Sequence, residues 1–570
     1  MNKQRYLDLI ELAVGAYTEE HIARYTADVK ENGLREHGYP RLAANIGILL
    51  ANGRGMHRLS YFPEMMSLCC SEIPVAKARA GGNVGNDFSV KEIVLCLTAL
   101  EQAGTYPRCT TEQWRQQLAT IDPYKTYSCI APVPPKVVGN WAAFAAASEQ
   151  TRAAAGLGNS DAFIHNQILS QLLVFDENGM YRDPHEPLVY DMVTRLQLAL
   201  ALERGYRGQG RDALEAHLHR SARPTLLMQS VSGEIPFGGR SNQFLHNETF
   251  YAALCEFYAS WYHTQGDDAL AGQFKSAARL AVNSLMPWLG GSETFHVKNR
   301  YPQDSMIGCE GYAYFDKYMV TMGSWAYLAY HFADDSIEER PCPAETGGYI
   351  WSTSTHFHKD FLCAGGYAVE IETDADFTYD ANGIGRIHKA GAPGAICLSV
   401  PFPCAAVTYR LCAPNPTPLA IGGGMRGADG AWCFASEKGT HFTQGEKYAS
   451  AEQAALTYTC TLPNGCSFTQ AVTVEQSGAT LTVSGEGEVA IELPIFVSDG
   501  QITSVRSISD NEISVLLDGW CCRYRSSEPL VLTTHADGAP VVYQNRNGLY
   551  HRAQLCGANC VRLHIEITPA

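Results

Sequence analysis

The chain has 570 residues, 46% of them hydrophobic, and a formal net charge of -16 from 43 Lys and Arg against 59 Asp and Glu. That length and apolar fraction support a sizeable core and favour two domains over one. The acidic balance and the lack of any basic run argue against a nucleic-acid partner, because phosphate binding needs clustered Lys and Arg. An acidic sugar stays open, since charges beyond about 8 Å are screened at physiological salt and only the local field of a cleft matters.

The N-terminal stretch "MNKQRYLDLIELAVGAYTEEH" carries Asp8 and Glu11 where a signal peptide needs an apolar core, so it reads as an amphipathic helix. No stretch approaches the roughly 18 uninterrupted apolar residues of a membrane span, so no membrane partner is expected. The 19 cysteines are odd in number and include the neighbours Cys69-Cys70 and Cys521-Cys522, with no CxxC. They read as reduced thiols of a cytoplasmic protein rather than a disulfide framework or zinc ribbon.

Apolar residues then recur at three- and four-residue spacing: Leu42, Ile46, Leu49 and Leu50; Val90, Ile93, Val94 and Leu97; Val189, Met192, Val193, Leu196 and Leu200. Similar patterns cover roughly 140 to 155, 242 to 263, 267 to 286 and 311 to 332, between breaks such as "APVPPKVVGN" and "GYRGQGRD". About a dozen helices are predicted. Beyond "DSIEERPCPAETGG" the pattern changes to short β-rich runs, among them "YAVEIET", "ALTYTCTL", "VAIELPIFV" and "EISVLLDGW". With no repeat at fixed period to support a solenoid, the expected fold class is α+β multidomain. An N-terminal (α/α) toroid over 1–338 precedes a C-terminal antiparallel β-sandwich over 345–570.

Several polar constellations interrupt this plan. Asn140 and Trp141 follow a Pro-rich loop and start a helix, as an N-cap with a core indole or as substrate contacts. In "YRDPHEPLVYDMVTRLQLAL", Pro187 fits a first helical turn. Asp191 and Arg195 form an i, i+4 pair that is either a solvated salt bridge or, with Tyr190, part of the funnel lining; His185 sits in the preceding loop. The segment "GGRSNQFLHNETFY", 238 to 251, holds the densest set of amides and bases. A helix starting at Ser241 or Asn242, both good N-caps, puts Gln243, His246 and Asn247 on one face, extended by Tyr251. Arg240 then lies just before the first turn, where backbone amides favour an anion.

Farther on, Tyr301, Tyr312, Tyr314 and Tyr318 cluster at a loop and helix entrance near Arg300 and Lys317, whereas Trp325, Tyr327 and Tyr330 read as a core stripe. Tyr314 is the preferred phenol for proton transfer. His356 and His358 share a face if "HFHKD" is a strand, a spacing that holds a structural metal only with a third ligand. The run "GGGMRGADG" lacks the context of a phosphate loop and reads as a β-turn, so no cofactor is expected.

A helical toroid followed by an antiparallel β domain, with "NW" at 140–141, "GGRSNQFLHNE" and "GYAYFDKY", resembles the toroid-fold polysaccharide lyases, and among them the rhamnose-glucuronate lyase type most. The resemblance implies β-elimination at C4 of a uronic acid in an acidic oligosaccharide or polysaccharide. That chemistry needs a carboxylate neutraliser, a base for the C5 proton and an acid for the leaving oxygen; Arg, Asn, Gln or protonated His suit the first role and His or Tyr the others. The catalytic candidates are therefore His246, Tyr314, Arg240 and Asn247. Substrate contacts are assigned to Gln243, Asn140, Trp141, Tyr190, Arg195, Tyr301, Tyr312 and Tyr318. Two other readings stay open. A glycoside hydrolase on the same toroid would draft two carboxylic acids from Asp191, Glu248 and Glu310, and a non-catalytic carbohydrate-binding protein would use the aromatics alone.

Overall fold

The computed structural model describes residues 1–185, 187–291, 293–404, 408–413, 415–501 and 505–570, without the side chains of 506–508. Twelve helices build the N-terminal half as alternating outer and inner members. They are α1 (Lys3–Gly15), α2 (Gly38–Ala51), α3 (Phe62–Glu72), α4 (Asn86–Ala103), α5 (Arg108–Ala119), α6 (Trp141–Ala154), α7 (Asp161–Gln171), α8 (Leu188–Glu203), α9 (Arg211–Leu227), α10 (Leu245–Thr264), α11 (Asp268–Leu285) and α12 (Phe315–Phe332). A further helix, Glu19–Asn32, lies outside the ring, beside α3. The even-numbered helices pack in the order α2, α4, α6, α8, α10, α12 and back to α2, a closed inner ring. The odd-numbered helices sheathe it.

The two rings differ in how their sequences bury. Outer α5 buries Thr111, Trp114 and Leu118, one stripe at i, i+3, i+7, as an amphipathic surface helix does. Inner α2 buries nearly every residue from Gly38 to Leu50, and α10 nearly every residue from Leu245 to Ala259. Helices that touch neighbours on all sides need small residues. A Cβ on Gly47 of α2 would stand 2.3 Å from Cys96 Sγ of α4, and one on Gly323 of α12 would stand 2.5 Å from Asn45 Nδ2 of α2. Gly47 sets the close approach of α2 to α4, and Gly323 that of α12 to α2, the seam where the ring closes.

After Thr346 the described chain is antiparallel β structure in two sheets. A 4-stranded sheet runs in the order β1 (Tyr349–Ser352), β2 (Lys359–Ala364), β3 (Tyr367–Glu372) and β4 (Gly383–Lys389). A 12-stranded sheet is centred on two 21-residue strands, Gly478–Ser498 and Leu549–Pro569, paired from Ala479↔Ile565 to Ser498↔Leu549. The small sheet is the middle layer, which explains why β2 and β3 are buried at every position. With side chains alternating between faces, Leu362, Ala364, Val369 and Ile371 join the apolar core of the large sheet. Lys359, Glu370 and Arg386 face the barrel instead. Lys359 Nζ lies 3.3 Å from the Phe237 ring centre, Glu370 Oε2 accepts from Phe237 N–H (3.2 Å), and Arg386 Nη1 donates to Ile235 O (2.6 Å). The loop leading into α10 is thus clamped to the sandwich.

Two sequence expectations are corrected here. "GGGMRGADG" is not only a turn, because Gly422–Arg426 is a strand that pairs with Val489–Glu492. His356 and His358 precede β2 rather than share a strand face; His358 pairs with Glu372, and Arg182 Nη1 lies 3.2 Å from His356 Nε2. Among the described residues no group of three or more His, Cys, Asp and Glu could hold a metal ion, and no helix is long and apolar enough to cross a membrane.

Candidate functional site

All six inner helices point their N-termini at one cavity of about 540 Å³. It is lined from the first turns outward: His37 and Arg41 at the start of α2, Gly85 and Phe88 at α4, Asn140, Trp141 and Phe144 at α6, Val189 and Tyr190 at α8, His246 and Asn247 at α10, Lys317 and Tyr318 at α12. Six aligned helix dipoles put partial positive charge and first-turn N–H groups at the same mouth. Side chains add to it: Arg35, Arg41, Arg240 and Lys317 line the cavity, against one carboxylate, Glu36, among the described residues. The cavity of an acidic protein is thus locally cationic.

The segment 238–244 carries the wall nearest α10. Ser241 and Gln243 take positive φ (58° and 66°), so the chain makes an irregular turn and α10 begins only at Leu245, behind an uncapped Phe244. This corrects the predicted helix start at Ser241 or Asn242. The turn projects Arg240 and Ser241 into the cavity and sends Gln243 away from it. Gln243 is buried in the junction, where Asn547 Nδ2 donates to its Oε1 (3.0 Å), so its predicted face-sharing with His246 is wrong. Ser241 Oγ gathers two phenols, lying 3.0 Å from Tyr190 Oη and 2.8 Å from Tyr312 Oη. Arg240 pairs with Asp183, donates to Pro184 O (2.8 Å) and lies over the Tyr190 ring at 4.3 Å.

His246 is 8% exposed, its ring meets that of Tyr318 edge-on at 4.8 Å, and its Nδ1 has no hydrogen-bond partner among the described residues. Burial, reinforced by Arg41 and His296, holds it well below the usual imidazole range, so it is neutral at pH 7. Asn247 donates to Ser241 O (2.9 Å); among the described residues its Oδ1 has no partner, nor has Nδ2 of Asn140 at the N-cap of α6. Burial, with Tyr190 and Tyr312 nearby, raises the Tyr318 phenol well above its ordinary value, and burial raises Tyr312 as well. Both phenols stay protonated and can donate. The site therefore combines a neutral base, proton donors, free amides and cations.

Of the predicted residues, His246, Arg240, Asn247, Asn140, Trp141, Tyr190, Tyr312 and Tyr318 all line the cavity. Arg195, Tyr301 and Tyr314 do not. Arg195 points between helices, bonded to Asp191 through Nε (2.8 Å) and Nη2 (2.6 Å), to Thr225 (2.8 Å) and to Tyr258 (3.2 Å), with neither partner of the ion pair solvated. Tyr301 lies in the junction near Asp499. Tyr314 is the N-cap of α12 and faces an adjoining groove with Tyr25, Tyr39 and Glu36. His185, also considered, is 70% exposed beside Asp376.

The carboxylates of the hydrolase reading are consumed elsewhere. Glu310 takes two bonds from Arg546 (2.6 and 2.9 Å), Glu248 accepts from Lys298 (2.7 Å), and Asp191 holds Arg195. Sequence reasoning missed Arg35, His37, Arg41 and Phe88. The stretch "REHGYPRLAANIGILL" shows the signal that marked residues 238–251, polar and basic residues immediately ahead of an all-round apolar helix. His37 is buried with Nδ1 unpartnered, and burial together with Arg41 lowers its pKa, making it a second neutral imidazole in the same wall.

No protein-family model matches the sequence, and no curated protein matches it. Solved structures similar in chain path include the heparan sulfate lyase HepC from Pedobacter heparinus (11% identity, 96% of this chain and 88% of that chain, TM-score 0.42). The chondroitin AC lyase of Streptomyces coelicolor A3 in complex with chondroitin sulphate is another (11% identity, 99% and 79%, TM-score 0.46). A chondroitinase AC lyase studied as oligosaccharide complexes is a third (10% identity, 100% and 83%, TM-score 0.41). Likeness this loose carries nothing about substrate or mechanism.

Proposed function

We propose that the protein is a lyase that cleaves the bond at C4 of a uronic acid by β-elimination. The observation that carries this reading is the composition of the cavity among the described residues: four cationic side chains, two amides with unpartnered atoms, neutral imidazoles and protonated phenols, with one carboxylate. A substrate carboxylate at the helix N-termini meets Asn140 Nδ2 and Arg240, whose hydrogen bonds and charge stabilise the enolate-like state formed when C5 loses its proton; Asn247, whose unpartnered Oδ1 is an acceptor, contributes the second hydrogen of the Nδ2 that already donates to Ser241 O. His246 takes that proton. The anionic substrate offsets the burial that depresses its pKa, bringing its basicity back toward neutral pH. The C4–O bond breaks as C4=C5 forms, and Tyr318, with Tyr312 beside it, protonates the departing oxygen. The role first given to Tyr314 passes to these two because they share the cavity with His246.

A glycoside hydrolase needs two carboxyl groups across the scissile bond, roughly 5 to 9.5 Å apart. Among the described residues Glu36 is the single carboxylate on the lining, which ranks that reading second. A pure binding protein has no use for a neutral imidazole against a buried phenol. Within the lyase class, a rhamnose-glucuronate linkage is the first substrate to test, on the motifs at 140–141 and 238–248. Incubation with uronate-containing oligosaccharides decides: a lyase product carries a C4=C5 bond absorbing in the ultraviolet. New reducing ends without that absorbance would replace the lyase reading with the hydrolase.

A further inference from the structure

A second cavity, about 490 Å³, lies at the junction of barrel and sandwich, where ligand sites commonly form. Its walls come from both halves: Trp288, just after α11, and Trp520, at the start of strand Trp520–Ser526, are both half-buried in it. The lining also includes Asn283, Ser284, Ser399 and Asn547, and Arg300 lies over the Trp288 ring at 5.3 Å. The first cavity keeps Arg35 and Lys317 beyond its Arg41–Glu92 and Arg240–Asp183 ion pairs; the second keeps no such surplus among the described lining residues. Lys298 is held by Glu234 (2.7 Å) and Glu248 (2.7 Å), and Arg300 by Asp499 (3.0 Å) and Asp518 (3.4 Å), so both cations are already matched. An anion finds no spare charge there. Asn547, 2% exposed, donates through Nδ2 to Lys298 O (2.9 Å) and Gln243 Oε1 (3.0 Å), while its Oδ1 has no partner among the described residues.

We infer that this cavity is a binding site for an uncharged saccharide, distinct from the uronate site. Indole faces stack on the apolar faces of a pyranose, and hydroxyls and amides match its hydroxyl groups. The absence of unmatched positive charge among the described lining residues selects against an acidic sugar. The inference does not rest on the elimination reading, because binding is measured without turnover.

The test is titration of the full-length protein with cellotetraose, xylotetraose and mannotetraose, followed by calorimetry and tryptophan fluorescence. At least one should bind saturably, and Trp520→Ala should weaken that binding at least tenfold. Because Trp520→Ala touches the sandwich core, Asn283→Trp is the second variant; residue 283 is on the exposed face of α11, and an indole there fills the cavity without disturbing the fold. It should abolish binding at unchanged Tm. His246→Ala should bind as the parent does. Failure of all three sugars to bind, or parental affinity in Asn283→Trp, overturns the proposal; loss of binding in His246→Ala also overturns it, by placing the sugar in the first cavity.

Discussion

Replacing Arg195 with Ala separates a side chain that holds the barrel together from one that touches substrate. Its guanidinium is fully buried, carries two bonds to Asp191, and ties α8 to Thr225 of α9 and Tyr258 of α10. Removing it leaves a buried carboxylate whose remaining partner is Tyr181 N–H (2.6 Å). Breaking a buried pair in this way costs about 3–5 kcal/mol. At roughly 2–4 °C per kcal/mol for a domain of moderate size, Tm should fall by about 6–20 °C, toward the lower end for a barrel this large. Differential scanning fluorimetry reads the shift, and activity per folded molecule should stay within a few-fold of the parent. The double variant Asp191→Leu/Arg195→Met, which removes both charges, should recover most of the loss. An Arg195→Ala protein that keeps its Tm but loses turnover would refute the reasoning and restore Arg195 to the substrate site.

Other expectations follow from the same geometry. His246→Ala should lower elimination by about 10²- to 10⁴-fold with Tm little changed, and Arg240→Ala by about 10²- to 10³-fold with a fall in Tm, because it leaves the buried Asp183 carboxylate without its ion-pair partner; near-normal rates in both would move the site elsewhere. Because His246 is held below the ordinary imidazole range, the acid limb of kcat/KM should lie below pH 6.5, and a limb centred at or above 6.5 would contradict the burial argument. Burial raises Asp380, which accepts from Gly239 N–H (2.7 Å), to about 7. An acid raised from its unfolded value contributes stability below pH 4 that is lost as pH rises through about 7. Asp380→Asn should therefore gain Tm relative to the parent across that window and level off above it; a constant difference would show that Asp380 is not the titrating group. All 19 cysteines are unpaired in the structure, so thiol titration of denatured, unreduced protein should find close to that number, and a count of one or three would exclude the reducing compartment expected from the sequence.

Local pattern alone determined the two structural classes and their order. Three- and four-residue periodicity marks helices and short β-branched runs mark strands because each is a property of neighbouring residues. The crowding of polar groups at 238–251, and the pairing of Asn140 with Trp141, were legible for the same reason: an apolar inner helix has no other use for them at its first turn. What sequence could not decide was direction. Gln243 and His246 share a helical face only if the helix includes both, and two residues at positive φ end that face before Leu245. Asp191 and Arg195 satisfy the i, i+4 rule whether they meet solvent, substrate or α9 and α10, and only the ring's closure turned them into its core. Tyr314 and Tyr318 differ by one turn, yet the curve of the barrel mouth places one beside Glu36 in an outer groove and the other against His246. Arg41 and His37, far away in sequence, enter the same wall because α2 lies next to α12 where the ring closes. A cavity made from six helix ends is a property of how the helices close, and no single stretch of the chain contains it.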